Sequence, residues 1–271
     1  APHGVELTTL LPGYPAVMGA IRRARQIHAW ESLLGEPARL LSAKLGEQPL
    51  LVLDAPHFFA REGGPYVSPA GADWDDNWRR FAAFGRAAAD IAGGAVKGRR
   101  FEVLHAHDWQ AAMALAYLRF APFAGHAVPS VMTIHNMAFQ GYYPARIFAG
   151  LDLPRAAWTM DGVESYGGVG FLKAGMESAH VITTVSPSYA AEIRQAEFGM
   201  GLEGLVVARA GRVHGILNGI DARAWNPEMD ADLAATFSAK TLDRRTANKR
   251  AVEAAFGLDS GDGLLFTVIS R

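Results

Sequence analysis

The residue types able to do chemistry in this chain stand at the ends of apolar runs. Phe101 to His105 leads into His107 and Asp108, and Val128 to His135 leads into Asn136; three further runs are His180 to Ser186, Val213 to Asn218 and Leu264 to Arg271. In an open α/β sheet the ligand lies just beyond the carboxyl ends of the parallel strands. If these runs are strands, Asp108, His135, Asn136, Ser186, Asn218 and Arg271 line one crevice, which is the layout of an enzyme. Two imidazoles at i and i+2, His105 and His107, fall on one side of a strand, and with His135 they make a possible zinc-type ligand set. A metal-dependent hydrolase is therefore one class open to the chain, although no later HxxH, HExxH or carboxylate pair completes the coordination. The other reading is a metal-free site in which these groups contact a substrate. Arg271, at a strand tip, offers a planar fork of donors suited to phosphate.

The elements that must position these groups follow from the pattern of apolar residues. Val5 to Leu11 reads as a strand, Pro12-Gly13 as a turn, and about Val17 to Trp30 as a helix with Arg22, Arg23 and Arg25 on its wet side. Two β-like runs between Ala38 and Ala55 flank Gly46-Glu47-Gln48 and suggest a hairpin. Residues 61 to 73 form a Gly- and Pro-rich loop, after which Asp75 or Asp76 caps a long helix through Phe81 and Phe84. From Phe101 onward strands and helices alternate: a helix from Asp108 to about Ala121, another around Phe171 to Ala179, and one opened by Pro187 with Ser186 as its cap. Pro227 to Phe237 and Asp243 to Phe256 read as further helices. This alternation predicts an α/β, Rossmann-like fold with a mainly parallel sheet and helices on both faces. Asp259-Ser260-Gly261-Asp262-Gly263 is a plausible hinge, so residues 1–260 form one domain and 261–271 begin another.

Some motifs mislead. Gly199-Met200-Gly201-Leu202-Glu203-Gly204 satisfies GxGxxG but follows a helical stretch, where a dinucleotide site requires a strand; a turn or loop near a ligand is expected instead. The glycines at 167, 168 and 170 lack the GK[ST] of a P-loop, though the amides opening the next helix could meet an anion. Asp230-Ala231-Asp232 resembles a metal-holding DxD pair, but acidic residues at a helix start are the simpler account. Ser186 lacks the GxSxG elbow of a serine nucleophile.

Composition narrows the classes. The 271 residues are 50% hydrophobic, enough for a sizeable core, and 26 basic against 27 acidic residues leave a net charge of -1, so no broad basic face points to nucleic acid. The absence of cysteine rules out disulfides, thiol nucleophiles and cysteine-held zinc. No run reaches the roughly 18 apolar residues of a membrane span, and no leader peptide is visible, so a cytoplasmic protein is expected. The abrupt start at Ala1 without Met, and a last strand with no helix to cover it, suggest a segment of a longer protein.

Taken in order, several segments resemble the bacterial-type glycogen and starch synthases. They are Leu11-Pro12-Gly13-Tyr14, Gly64-Pro65-Tyr66, Asp76-Asn77 with Arg80-Phe81, His105-Ala106-His107-Asp108-Trp109-Gln110-Ala111, Thr133-Ile134-His135-Asn136 with Gln140-Gly141, Phe171-Leu172-Lys173-Ala174-Gly175, Thr184-Val185-Ser186-Pro187, Asn218-Gly219-Ile220-Asp221 with Trp225-Asn226-Pro227, and Ser270-Arg271. The resemblance implies a two-domain GT-B glycosyltransferase that passes glucose from ADP-glucose to an α-1,4-glucan with retention of configuration. This chain would supply most of its N-terminal, acceptor-side domain. The family's Lys-Thr-Gly-Gly loop, a lysine just beyond Ser270-Arg271 and a C-terminal glutamate are not in this sequence, so the segment alone is expected to be inactive. By resemblance, Asp108 and His135 lie against the reacting glucose, Arg271 grips the diphosphate, Tyr66 meets the nucleotide, Asn218 holds a glucose hydroxyl, and Asn136 and Gln140 belong to the sugar-facing loop. No metal or cofactor is implied. A non-catalytic glucan-binding module is the alternative from another class.

Overall fold

The computed structural model describes residues 4–121 and 128–268. Contacts divide the chain into two compact units, Ala1–Leu217 and Asn218–Arg271.

In the first unit, β1 (Thr9–Pro12) is followed by a short helix α1 (Pro15–Ala20), then by three strands, β2 (Arg22–Leu33), β3 (Glu36–Leu45) and β4 (Gln48–Asp54). They form a mixed four-stranded sheet of order β1-β4-β3-β2, parallel only between β1 and β4. The hairpin expected around residues 46–48 is β3–β4, in register from Leu45 and Gln48 to Arg39 and Asp54. The helix expected to run on to Trp30 ends at Ala20, and Arg22 onward is strand. Ile27, Trp30 and Leu33 recur every three residues, which looks helical, but register shifts at Gln26/His28 and Trp30/Leu33 produce that spacing by bulging an antiparallel strand. Leu33 is thereby buried, and the Trp30 indole donates to Asp90 at 2.9 Å.

The long helix α3 (Asn77–Ala92), after the short helix α2 (Pro56–Phe59), buries Ala83 and Ala87 beside Leu53, Phe58 and Phe59, and Phe81 in the neighbouring core with Trp109. Each fully buried Phe contributes about 1.5–3 kcal/mol. Asp76 holds the N-cap position of α3, but its carboxylate caps nothing; both oxygens accept from the Arg61 guanidinium, at 2.7 and 2.6 Å. Burial raises the Asp76 pKa, but the Arg61 bonds and charge outweigh burial and hold it below the usual carboxylate range. Arg80, fully buried, donates to the carbonyls of Phe58 and Pro65 and to Asn77 Oδ1, so the loop through Tyr66 is fastened from below.

The second sheet is wholly parallel, of order β11-β10-β6-β5. It comprises β5 (Leu104–His107), β6 (Ser130–Ile134), β10 (Val181–Thr184) and β11 (Val213–Gly215). The connections between them hold α4 (Asp108–Phe120), a small antiparallel sheet of β7 (Tyr142–Pro144), β8 (Glu164–Ser165) and β9 (Gly168–Gly170), then α5 (Phe171–Ser178), α6 (Pro187–Glu192), α7 (Ala196–Gly199) and α8 (Glu203–Ala208). Met113, Tyr117, Met132, Ile134, Phe171 and Ile182 join these layers into one core. Ser186 caps α6 as expected, its hydroxyl accepting from the Tyr189 amide at 2.9 Å. The α/β expectation therefore holds, with only the second of the two four-stranded sheets wholly parallel.

In the second unit, α9 (Arg245–Ala255) matches the expected helix, but 227–237 is irregular. Asn226 and Asp230 bond forward to the amides of Glu228 and Asp232, and Asn248 grips both the N–H and the carbonyl of Ala235, so side chains replace helical bonds there. Asp230 thus caps a turn, not a helix. Leu264 to Val268 pairs with no strand among the described residues, and the side chains of Leu264, Phe266 and Val268 are exposed. The strand expected there lacks the neighbouring strand it needs.

Gly215 tests the seat of β11 against α6. A Cβ there would lie 2.2 Å from the Ser186 carbonyl oxygen and 2.4 Å from Pro187 Cα, backbone atoms that cannot yield, whereas a Cβ on Gly204 in α8 meets nothing within 4 Å. Gly215→Ala is expected to destabilise the fold by about 2–3 kcal/mol in denaturant unfolding, and Gly204→Ala to stabilise it by about 0.5–1 kcal/mol.

Candidate functional site

The carboxyl ends of β5 and β6 carry the expected residues. No linker separates β5 from α4: His107 ends the strand and Asp108 opens the helix. Asp108 takes φ 53° to make the turn, a left-handed conformation that aspartate tolerates better than most residues. In that pose its Oδ1 accepts the backbone N–H of His135 at 2.7 Å, tying the two strand ends together.

Below this bond the imidazoles form a row. His105 and His107 lie on one face of β5, as their spacing requires, with ring centroids 4.3 Å apart and nearly parallel. His107 Nδ1 meets His135 Nε2 at 3.0 Å, so one of the two nitrogens must be a donor and the other an acceptor. His105 Nε2 bonds Thr133 Oγ1, which in turn bonds Thr183 Oγ1, each at 2.6 Å, across β6 and β10. Ring nitrogens engaged in this way do not converge on a common point. Among the described residues no three His, Asp or Glu side chains are placed to hold a metal ion. The zinc-type set is overturned on this geometry.

Although both rings keep an exposed edge, partial burial lowers the pKa of His105 below 6.5, and the nearby His135 lowers it further. His107 is lowered in the same way, by burial first and then by His105 and His135, against a smaller opposing effect of Asp108. Both are neutral at pH 7, as a hydrogen bond between His107 and His135 requires of at least one ring.

Tyr66 lies near the start of α4. Its ring lies 5.9 Å from Phe81 and 6.3 Å from Trp109, the residue after Asp108, and it keeps an exposed face. Its carbonyl accepts from the Asn77 side chain at 2.9 Å. Asn136 is exposed and turns its Oδ1 back to the Ala138 amide, shaping the loop after β6. Gln140 donates through Nε2 to the carbonyls of Met137 and Met200, at 3.3 and 3.0 Å. Gly141 must be glycine: φ is +60°, and a Cβ would lie 2.4 Å from the Trp109 ring. Ser186 serves as a cap. Asn218 opens the second unit, and Arg271 lies outside the described residues.

The segment from Gly199 to Gly204 is a turn between two helices, as its context suggested. Met200 and Gly201 have positive φ, and Glu203 accepts the Gly201 amide. Tyr166 donates its hydroxyl to the Gly201 carbonyl at 2.7 Å, and Gln140 holds Met200, so this turn is fastened to the loop after β6. The amides opening α5 are unavailable to an anion. Those of Phe171 and Leu172 donate to the carbonyls of Gly141 and Gln140.

Sequence reasoning missed the supporting side chains. Thr133 and Thr183 sit at paired positions of β6 and β10, a matched pair of threonines on adjoining strands that could have been read as a cross-strand bond. The Arg61–Asp76 clamp and the buried Arg80 left no sequence signal beyond being charged.

The fold is the Rossmann-like α/β class of GT-B glycosyltransferases, with its polar side chains at the carboxyl edge of a parallel sheet. The starch synthase catalytic domain family matches residues 1–208, and the chain belongs to that family. Over its whole length it is 69% identical to the glycogen synthase of Novosphingobium aromaticivorans and 52% identical to that of Mesorhizobium japonicum, covering 56% of each. The chain therefore spans about half the length of these relatives. The catalytic domain of starch synthase IV from Arabidopsis thaliana, bound to ADP and acarbose, superposes with a TM-score of 0.75 at 29% identity, over 96% of this chain and 54% of that one.

Depressed imidazole pKa values make stability depend on pH. Below 6.5 the unfolded chain takes up protons that folded His105 and His107 refuse, so stability rises with pH from their folded pKa values up to about 6.5 and falls as pH drops through that window. NMR titration of the ring protons is expected to place both midpoints below 6.5. A midpoint above it would contradict the arrangement.

Proposed function

We propose that this chain is the acceptor-side part of a glucan synthase, which transfers glucose from ADP-glucose to the non-reducing end of an α-1,4-glucan with retention. The observation that carries the reading is Asp108 holding His135 at the adjoining carboxyl ends of β5 and β6, where an α/β enzyme takes its ligand, in a chain of the starch synthase family. The ADP and acarbose bound by the Arabidopsis relative support an adenine nucleotide donor and a glucan acceptor.

Transfer builds positive charge on the sugar and negative charge on the departing diphosphate, so groups fixed in advance around those charges supply much of the rate. In this reading Asp108 and His135 face the glucose ring, Asn136 and Gln140 shape the loop around it, and Tyr66 lies against the nucleotide. Asn218 holds a hydroxyl of the glucose and Arg271 the diphosphate. The reading takes residues 1–260 as the N-terminal GT-B domain and 261–271 as the start of a C-terminal nucleotide domain that completes the site in the full-length protein. It needs no metal or cofactor. A bacterial cytoplasmic location fits the relatives, and no helix among the described residues is long and apolar enough to cross a membrane.

The test is incorporation of labelled glucose into maltooligosaccharide by the full-length protein, with ADP-glucose and UDP-glucose compared. ADP-glucose is expected to give the higher kcat/KM. His135→Ala and Asp108→Asn, which tolerates positive φ and keeps an oxygen for the His135 amide, are each expected to lower kcat by about 10²–10³-fold while circular dichroism stays unchanged. A folded full-length protein that incorporates nothing from ADP-glucose would refute the proposal.

A further inference from the structure

At the opposite end of the parallel sheet from Asp108 and His135 lies a cavity of about 590 Å³, lined where α4 and α5 end and β6 and β10 begin. Roughly 15 Å of strand, at ~3.3 Å per residue, separates the two ends. Arg119, Arg209 and Arg212 all line the cavity, with Ser178, His180 and the acids Glu177 and Asp161.

Part of this cationic cluster has a structural task. Arg119 donates to the carbonyls of Asp161 and Glu177, at 2.7 and 3.2 Å, and Arg209 donates to those of Glu177 and Ala179. These bonds satisfy the last carbonyls of α5, which would otherwise repel an anion. Capping leaves donors over. Arg209 Nε and Ser178 Oγ are both buried, and neither has a hydrogen-bond partner among the described residues. An unmet buried donor of this kind destabilises the fold. The Arg212 side chain is exposed and makes no hydrogen bond or ion pair among the described residues. His180 accepts the Ser130 amide on Nδ1 at 3.1 Å, which leaves Nε2 as the N–H nitrogen of the neutral ring.

The charges are close enough to disfavour one another. Burial lowers the Arg209 pKa most, and the charge of Arg212 and then, more weakly, that of Arg119 push in the same direction. The nearest carboxylate, Glu177, stands 3.8 Å from Arg209 and is shared with Lys173 at 3.6 Å. An anion between Arg209 and Arg212 would relieve this repulsion.

We propose that this cavity binds a small phosphorylated polyol, its phosphate held by Arg209, Arg212 and Ser178 and its hydroxyls by Glu177 and Asp161. The volume falls in the range of about 300–1,000 Å³ usual for small-molecule sites, and guanidinium forks match phosphate geometry.

Calorimetric titration of the full-length protein with glycerol 3-phosphate and with inorganic phosphate, at constant ionic strength and with excess ADP present, tests the site. Saturable binding of glycerol 3-phosphate is expected, with no heat from glycerol. Arg212→Gln, which breaks no contact of the fold, and Ser178→Ala are each expected to weaken it about tenfold or more. Absence of saturable binding, or binding unchanged in both variants, would overturn the proposal and leave the arginines as helix caps alone. The readout does not depend on glucose transfer. Loss of binding in the Arg212 variant would stand even if transfer from ADP-glucose were never observed.

Discussion

The site depends on the hydrogen bond from the His135 amide to the Asp108 carboxylate. Because β5 passes into α4 with no connecting residue, something must turn the chain within one residue, and Asp108 does so at positive φ. A conformation of this kind costs on the order of 1–3 kcal/mol and persists only where its surroundings hold it. The bond to β6 is one such hold, and the burial of Trp109 in the next position is another. The same turn sets the pairing of His107 with Thr133, and so brings the ring of His107 against that of His135. Strand register, helix start and side-chain geometry are therefore one constraint, and a residue at 108 that lacked both the acceptor oxygen and the tolerance of positive φ would disturb all three.

Around that centre the loops are held by side chains bonding to backbone carbonyls instead of by further regular structure. Gln140 reaches Met200, Tyr166 reaches Gly201, and Tyr142 reaches Tyr166. Arg80 and Asn77 do the same for the loop through Tyr66. A carbonyl has no sequence identity, so such loops can be fixed by one long polar side chain each. This arrangement leaves the backbone near the site open to solvent and ligand while its direction stays set.

What could be read from the sequence follows from the same distinction. Elements whose apolar pattern arises from a single buried face were legible: the hairpin of β3 and β4, α4, α5, and the Ser186 cap ahead of Pro187. The i, i+2 spacing of His105 and His107 correctly placed both rings on one face. Strand β2 was not legible, because its bulges give Ile27, Trp30 and Leu33 the spacing of a helix. The stretch from Pro227 to Phe237 was misread because Asn248, eleven residues beyond its end, binds its backbone. Long-range polar bonds of this kind leave no periodic trace. For the same reason the metal reading of the histidines could be dismissed only once Thr133 and Thr183 were seen to engage His105.

The charge balance of the site bears on how a whole synthase would work. The groups bonded to or stacked on Asp108 and His135 include no cation, since burial keeps His105 and His107 neutral near pH 7. Arg80, beneath the loop through Tyr66, is buried and committed to the carbonyls of Phe58 and Pro65 and to Asn77. In the proposed reading a departing diphosphate would find orientation here, but little compensation for its negative charge. In the proposed reading that compensation falls to Arg271 and to the half of the relatives' length that this chain does not span. In that reading such a division keeps the acceptor side nearly neutral, which suits an uncharged glucan. The proposed reading then gathers the cations where the nucleotide binds, and makes the reactive arrangement depend on both halves holding the same donor.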